Sequence, residues 1–126
     1  MKSQIHLIRH GITEGNQRRL YYGAADIPLA KEGERMLKEL VAEHIYPEAE
    51  GSDFYTTGLI RTEQTLTLIY GEKEHSVIEE LREMNFGQFE MKSYQAVSYT
   101  HLDFYGARCF GPCFFWNCRF RCLRRC

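Results

Sequence analysis

Arg9-His10-Gly11 places two residue types suited to phosphoryl chemistry side by side. A neutral imidazole nitrogen is a good nucleophile toward phosphorus near neutral pH. The adjacent arginine offers a planar fork of N–H donors matched to phosphate oxygens. Taken alone, the tripeptide reads as readily as a solvated surface pair in a loop. Two other charged residues carry the same ambiguity. Glu83 is either a general acid or a solvated member of an acidic run with Glu79 and Glu80. Arg61 is either an anion clamp or a helix-surface residue paired with Glu63. His6, His44 and His75 have no comparable setting and receive no role.

The elements around these residues follow an α/β rhythm. Ile5-His6-Leu7-Ile8 is a short apolar run, expected to be a buried strand that breaks into a polar loop at Arg9. The carboxyl edge of such a strand is where open α/β sheets bind ligands. Gly11 to Asn16 reads as loop and Gly23 to Pro28 as turn-rich. From about Glu32, Met36, Leu37, Leu40, Val41 and Ile45 fall on one helical face, and Pro47 ends the segment. Asp53 to Thr56 predicts a second strand and Leu59 to Ile69 a second helix. That helix would face inward with Leu59, Thr62, Leu66 and Ile69 and close at Gly71. Ser76-Val77-Ile78 predicts a third strand, and Glu79 to Tyr94 reads as mainly irregular.

Leu7-Ile8-Arg9-His10-Gly11-x-Thr13-x-x-Asn16 resembles the signature of the histidine phosphatase superfamily, the phosphoglycerate-mutase-like proteins. Three further blocks in the same order are similar to that family. They are Gly23-x-x-Asp26-x-Pro28-Leu29-x-x-x-Gly33, Tyr55-Thr56-Thr57-x-Leu59-x-Arg61-Thr62-x-Gln64-Thr65, and Leu81-Arg82-Glu83-x-x-Phe86-Gly87-x-Phe89-Glu90. The resemblance implies the N-terminal portion of a three-layer α/β/α phosphoglycerate-mutase-like fold. It also implies a role at each matching position. His10 becomes the transiently phosphorylated nucleophile, and Arg9, Arg61 and Asn16 bind the phosphate. Glu83 is the proton donor to the leaving group. Thr13 and Gly23 are possible substrate contacts. No metal or cofactor is expected, because the arginines supply the positive charge. The implied partner is a small phosphorylated metabolite, with α-ribazole phosphate as one possibility.

Two departures shape that expectation. Family mutases commonly carry an acid just after Arg-His-Gly and a tryptophan before the asparagine, where this chain has Ile12 and Gly15. This favours a phosphatase over a mutase, the mutase remaining the alternative. The family also needs a second histidine, in a late His-Gly segment. After Glu83 the chain has only His101, within Thr100-His101-Leu102 and with no glycine beside it.

Composition offers an account of that gap. Residues 1–96 hold 11 Lys and Arg, 16 Asp and Glu, and no cysteine. Residues 97–126 hold five arginines, one acid, all five cysteines and 8 of the 17 aromatics. Residues 97–102 also resemble the translation of a sequencing-library adapter. The expected organisation is therefore residues 1–96 as the N-terminal part of a phosphatase domain and 97–126 as a non-native tail. A chain so cut is expected to be nearly inactive and poorly folded. A rival reading takes the whole as a non-catalytic phosphate-binding module with a Cys-rich, metal- or nucleic-acid-binding tail. The cysteine spacings differ from usual zinc pairs, however, and neither a nucleic-acid nor a membrane partner is expected. No apolar run reaches the roughly 18 residues of a membrane span. The cytoplasm is the expected compartment, and the oligomeric state is open.

Overall fold

The structure, a computed structural model, describes residues 4–101. Its first regular element is a helix, not the expected strand. Ile5 to Ile8 make no ladder with either described strand, and Ile5 and Leu7 are 87 % and 68 % exposed. Strand formation needs a neighbour to take the N–H and C=O groups, and among the described residues the two strands pair only with each other.

Helix α1 (Glu14–Gln17) is a single turn inside the expected loop. A capping box creates it, because the Thr13 hydroxyl receives the Asn16 N–H while the Asn16 side chain receives the Thr13 N–H. Helix α2 (Lys31–Ala42) follows from the apolar spacing after Glu32. It stops before Ile45, because His44 takes a left-handed backbone (φ 55°). Consequently Leu37 is buried while Met36 and Ile45 stay exposed.

Strand β1 (Tyr55–Thr56), helix α3 (Ile60–Tyr70) and strand β2 (Ser76–Val77) form a β–α–β unit. The strands are parallel, with Tyr55 opposite Ser76 and Thr56 opposite Val77. Both are shorter than predicted. Helix α3 packs against α2 and closes at Gly71 (φ 77°) as expected. Its buried face departs from the apolar prediction. Arg61 and Thr65, one turn apart, are the buried residues of the helix, whereas Thr62, Leu66 and Ile69 are half-buried. Polar side chains can take that face only with hydrogen-bond partners, and both have them.

Beyond β2 the chain is mainly irregular, with 3-10 turns at Glu79–Leu81 and Gly87–Phe89. The segment 91–94 then pairs back on 19–21, where Met91 N–H donates to Tyr21 C=O at 2.7 Å and Tyr21 N–H donates to Lys92 C=O at 2.9 Å. The central apolar cluster is Leu20, Tyr22 and Ile27, with Ala25 against it. Two compact units divide the chain, residues 1–94 and 95–126. Helix α4 (Tyr94–His101) begins at the end of the first. Residues 102–126, most of the expected tail, lie outside the described residues.

Candidate functional site

His10 is half-buried, and its ring is oriented by its own neighbour. Its Nδ1 lies 2.7 Å from the Gly11 carbonyl oxygen. A carbonyl only accepts, so Nδ1 carries the proton and Nε2 keeps its lone pair. Gly11 is itself fixed, its N–H donating to Thr65 Oγ1 at 3.1 Å. Burial lowers the His10 pKa from its ordinary 6.5. The Gly11 carbonyl opposes this, and the charges of Arg61 and Arg9 lower it further. The ring is therefore a neutral imidazole at pH 7, with its nucleophilic nitrogen in a field of two arginines.

Arg61 comes from the first turn of α3 and is only 2 % exposed. Its Nη1 donates to Ala25 C=O and its Nη2 to Gly23 C=O, both at 2.7 Å. Its guanidinium carbon lies 5.2 Å from the centre of the Tyr22 ring, within cation–π range. Arg9 is exposed, and its charge acts on both His10 and Tyr22.

Asn16 is aimed by the capping box. Its Oδ1 accepts the Thr13 N–H and the Thr13 hydroxyl, each at 3.0 Å. That assignment leaves Nδ2, which only donates, without a protein partner among the described residues. The Thr13 oxygen also accepts the Asn16 N–H at 3.2 Å and the buried Tyr22 hydroxyl. Thr13 is thus fully buried with its hydroxyl spent. It holds Asn16 and does not face solvent.

Gly23 brings the Glu83 segment to the site. A Cβ there would lie 2.0 Å from Met84 C=O and 3.3 Å from Glu83 Cγ, so only glycine admits this approach. Both backbone groups of Gly23 are occupied, since its N–H donates to Glu90 Oε1 at 2.7 Å and its carbonyl takes Arg61. Gly23 therefore packs directly against the Glu83 segment with both of its backbone groups hydrogen-bonded. Glu83 is exposed, and its charge reaches Tyr22, whose pKa is raised by burial first. The Thr13 hydrogen bond, Arg61 and Arg9 oppose that rise, while Glu83 adds to it.

Arg9, Arg61 and Glu83 thus act on Tyr22, Asn16 is bonded to its partner Thr13, and His10 feels the same two arginines. Tyr22 and Glu90 are residues that the sequence alone does not single out. Tyr22 sits beside Gly23 without a distinctive signal, and Glu90 ends a block whose weight falls on Glu83. The arrangement gathers two guanidiniums, an amide and a neutral imidazole, groups whose chemistry suits an anion. Among the described residues, no group of three or more His, Cys, Asp or Glu is placed to hold a metal ion, and no helix is long and apolar enough to cross a membrane.

The model of the histidine phosphatase superfamily (branch 1) matches residues 5–118, a span that runs past Ala96. The adenosylcobalamin/alpha-ribazole phosphatase of Salmonella typhimurium is 30% identical over 108 residues, covering 84% of this chain and 52% of that protein. The "Probable phosphoglycerate mutase GpmB" of Yersinia enterocolitica is 33% identical over 97 residues, covering 75% and 44%. A solved structure of phosphoserine phosphatase with 3-phosphoglyceric acid from Entamoeba histolytica has a TM-score of 0.59 and 28% identity. It covers 71% of this chain and 44% of its own. The chain spans about half the length of the curated relatives it matches. The neighbours share its phosphoglycerate-mutase-like α/β fold.

Proposed function

The chain belongs to the histidine phosphatase superfamily, and on that premise we propose that it carries the reacting groups of an enzyme that hydrolyses a small phosphate monoester through a phosphohistidine at His10, this chain by itself turning over little. The Nε2 lone pair attacks phosphorus as the bond to the ester oxygen breaks, and the carboxyl proton of Glu83 passes to the departing alkoxide. Water then attacks the phosphoryl group and gives its proton to the Glu83 carboxylate. The P–N bond breaks, releasing phosphate and neutral His10. Arg9, Arg61 and Asn16 Nδ2 hold the phosphoryl oxygens throughout.

The observation that carries this reading is the Nδ1–H bond to Gly11, which leaves the Nε2 lone pair available in the field of two arginines. Ile12 and Gly15, standing where family mutases commonly carry an acid and a tryptophan, favour hydrolysis over phosphoryl return. A Cβ on Gly15 would lie 2.6 Å from Tyr22 Cε1, so Tyr22 occupies the space beside position 15. The name of the Salmonella relative makes α-ribazole phosphate the first substrate to try. The setting is the cytoplasm, and no nucleic acid or membrane is involved. The family's second histidine is assigned to no residue here.

Stoichiometric capture tests the reading without requiring turnover. Incubated with p-nitrophenyl phosphate, the chain should gain an acid-labile, alkali-stable phosphoryl group on His10, located by mass spectrometry. His10→Ala should abolish it, and Arg61→Ala should slow it by about 100-fold. Labelling that survives His10→Ala sinks the assignment.

A further inference from the structure

Glu90 lies outside the reacting groups, yet its carboxylate is engaged more fully than any other among the described residues. Oε1 accepts the N–H of Gly23 at 2.7 Å and of Ala25 at 2.8 Å, and Oε2 accepts the N–H of Phe86 at 2.9 Å. The first two partners are the same residues whose carbonyls hold Arg61. Gly23 and Ala25 are therefore each gripped twice, at the N–H by an anion and at the C=O by a cation. The third bond ties in the segment that follows Glu83. Burial pushes the Glu90 carboxyl up, but the N–H groups of Ala25, Gly23, Phe86 and Ala24 together hold it below its ordinary 4.5. It is a carboxylate at neutral pH.

We infer that Glu90 is a positioning residue that sets the Arg61 guanidinium in the phosphate site through Gly23 and Ala25, an inference that rests on reading Arg61 as a phosphate ligand. Its indirect route has a physical reason. A carboxylate paired directly with Arg61 would neutralise it and compete with the phosphate for the same donors. Two carbonyls fix the guanidinium without cancelling its charge, and no carboxylate among the described residues lies within 4 Å of it in an ion pair. The carboxylate instead braces the loop from its far side. Small displacements of a charge-stabilising group carry large penalties, so a residue that never touches substrate governs its affinity.

The test follows two readouts on the full chain, with inorganic phosphate as the probe. By NMR, the Arg61 guanidinium protons should exchange slowly in the wild type, and Glu90→Gln should shift them and speed their exchange. By calorimetry, Glu90→Gln should weaken phosphate binding about tenfold. In an Arg61→Ala background the same substitution should change it less than about twofold, because coupled residues are not additive. Equal losses in both backgrounds overturn the inference, as do Arg61 signals unmoved by Glu90→Gln. If Glu90→Gln does not fold, the wild type still decides, since Arg61 protons exchanging as fast as those of exposed Arg35 overturn it. A wild type that binds no phosphate removes the phosphatase reading, while the Arg61 signals continue to report on the brace.

Discussion

The hydroxyl of Thr65 accepts the N–H of Gly11 across 54 residues of sequence, and Gly11 in turn accepts the ring of His10. Helix α3 thus steadies the His10 ring as well as supplying Arg61. Thr65→Val keeps the shape but leaves the Gly11 N–H without its partner, which should cost about 1–3 kcal/mol of stability. Thr65→Ser should restore most of it. Urea unfolding of the two variants measures the difference, and equal midpoints would show that this bond contributes nothing.

Gly33 presents a case where two effects oppose. In the exposed interior of a helix, Gly→Ala gains about 1 kcal/mol. Here the new Cβ would lie 2.1 Å from the Ile12 carbonyl oxygen, and overpacking of that kind costs about 1–3 kcal/mol. The obstacle is backbone that also accepts the Ala30 N–H at 2.9 Å, so it yields poorly. Gly33→Ala should lower the melting temperature. A rise would mean that the loop after His10 moves more freely than its contacts imply.

His10 and His75 should answer pH with opposite signs. The native His10 pKa lies below 6.5, so as pH falls through 6.5 the unfolded chain takes up the proton first and stability is lost. That loss levels off once the pH is below the native value. His75 donates from Nδ1 to the Lys73 carbonyl at 2.9 Å and from Nε2 to Glu63 at 2.8 Å. The Lys73 bond raises its pKa, burial opposes, and Glu63 adds to the rise. Its stabilisation is therefore full below 6.5 and disappears as pH climbs through the raised value. NMR titration should place the His10 midpoint below 6.5 and that of His75 above it. His10→Gln should flatten the acid side of the stability profile, and His75→Gln the neutral side.

Local signals in this chain were legible and remote ones were not. Helix α3 and its close at Gly71 follow from spacing and one glycine, and the blocks around His10, Arg61 and Glu83 are short enough to read directly. The expected strand at Ile5–Ile8 failed because a strand depends on a neighbour, which its own residues do not encode. The inward face of α3 escapes the pattern because apolar periodicity points to Leu66 and Ile69, which are only half-buried. Burial of Arg61 depends instead on carbonyls at Gly23 and Ala25, 38 and 36 residues away. Glu90 left no trace as a brace, since its partners are backbone N–H groups, which every residue but proline possesses.

Asp26 gives the loop at 23–28 one further hold on α3, because its Oδ1 accepts the N–H of Ile60 at 2.7 Å. Leu59, at the helix's own N-cap, contributes no side-chain bond. An eleven-residue helix is a poor nucleus by itself, and here the cap that starts it arrives from 34 residues upstream. Folding of α3 and docking of the loop should therefore be one kinetic event, limited by closure of that long contact. The guanidinium and the carbonyls that receive it would then be born together, so an early intermediate displaying Arg61 on a finished helix should never accumulate.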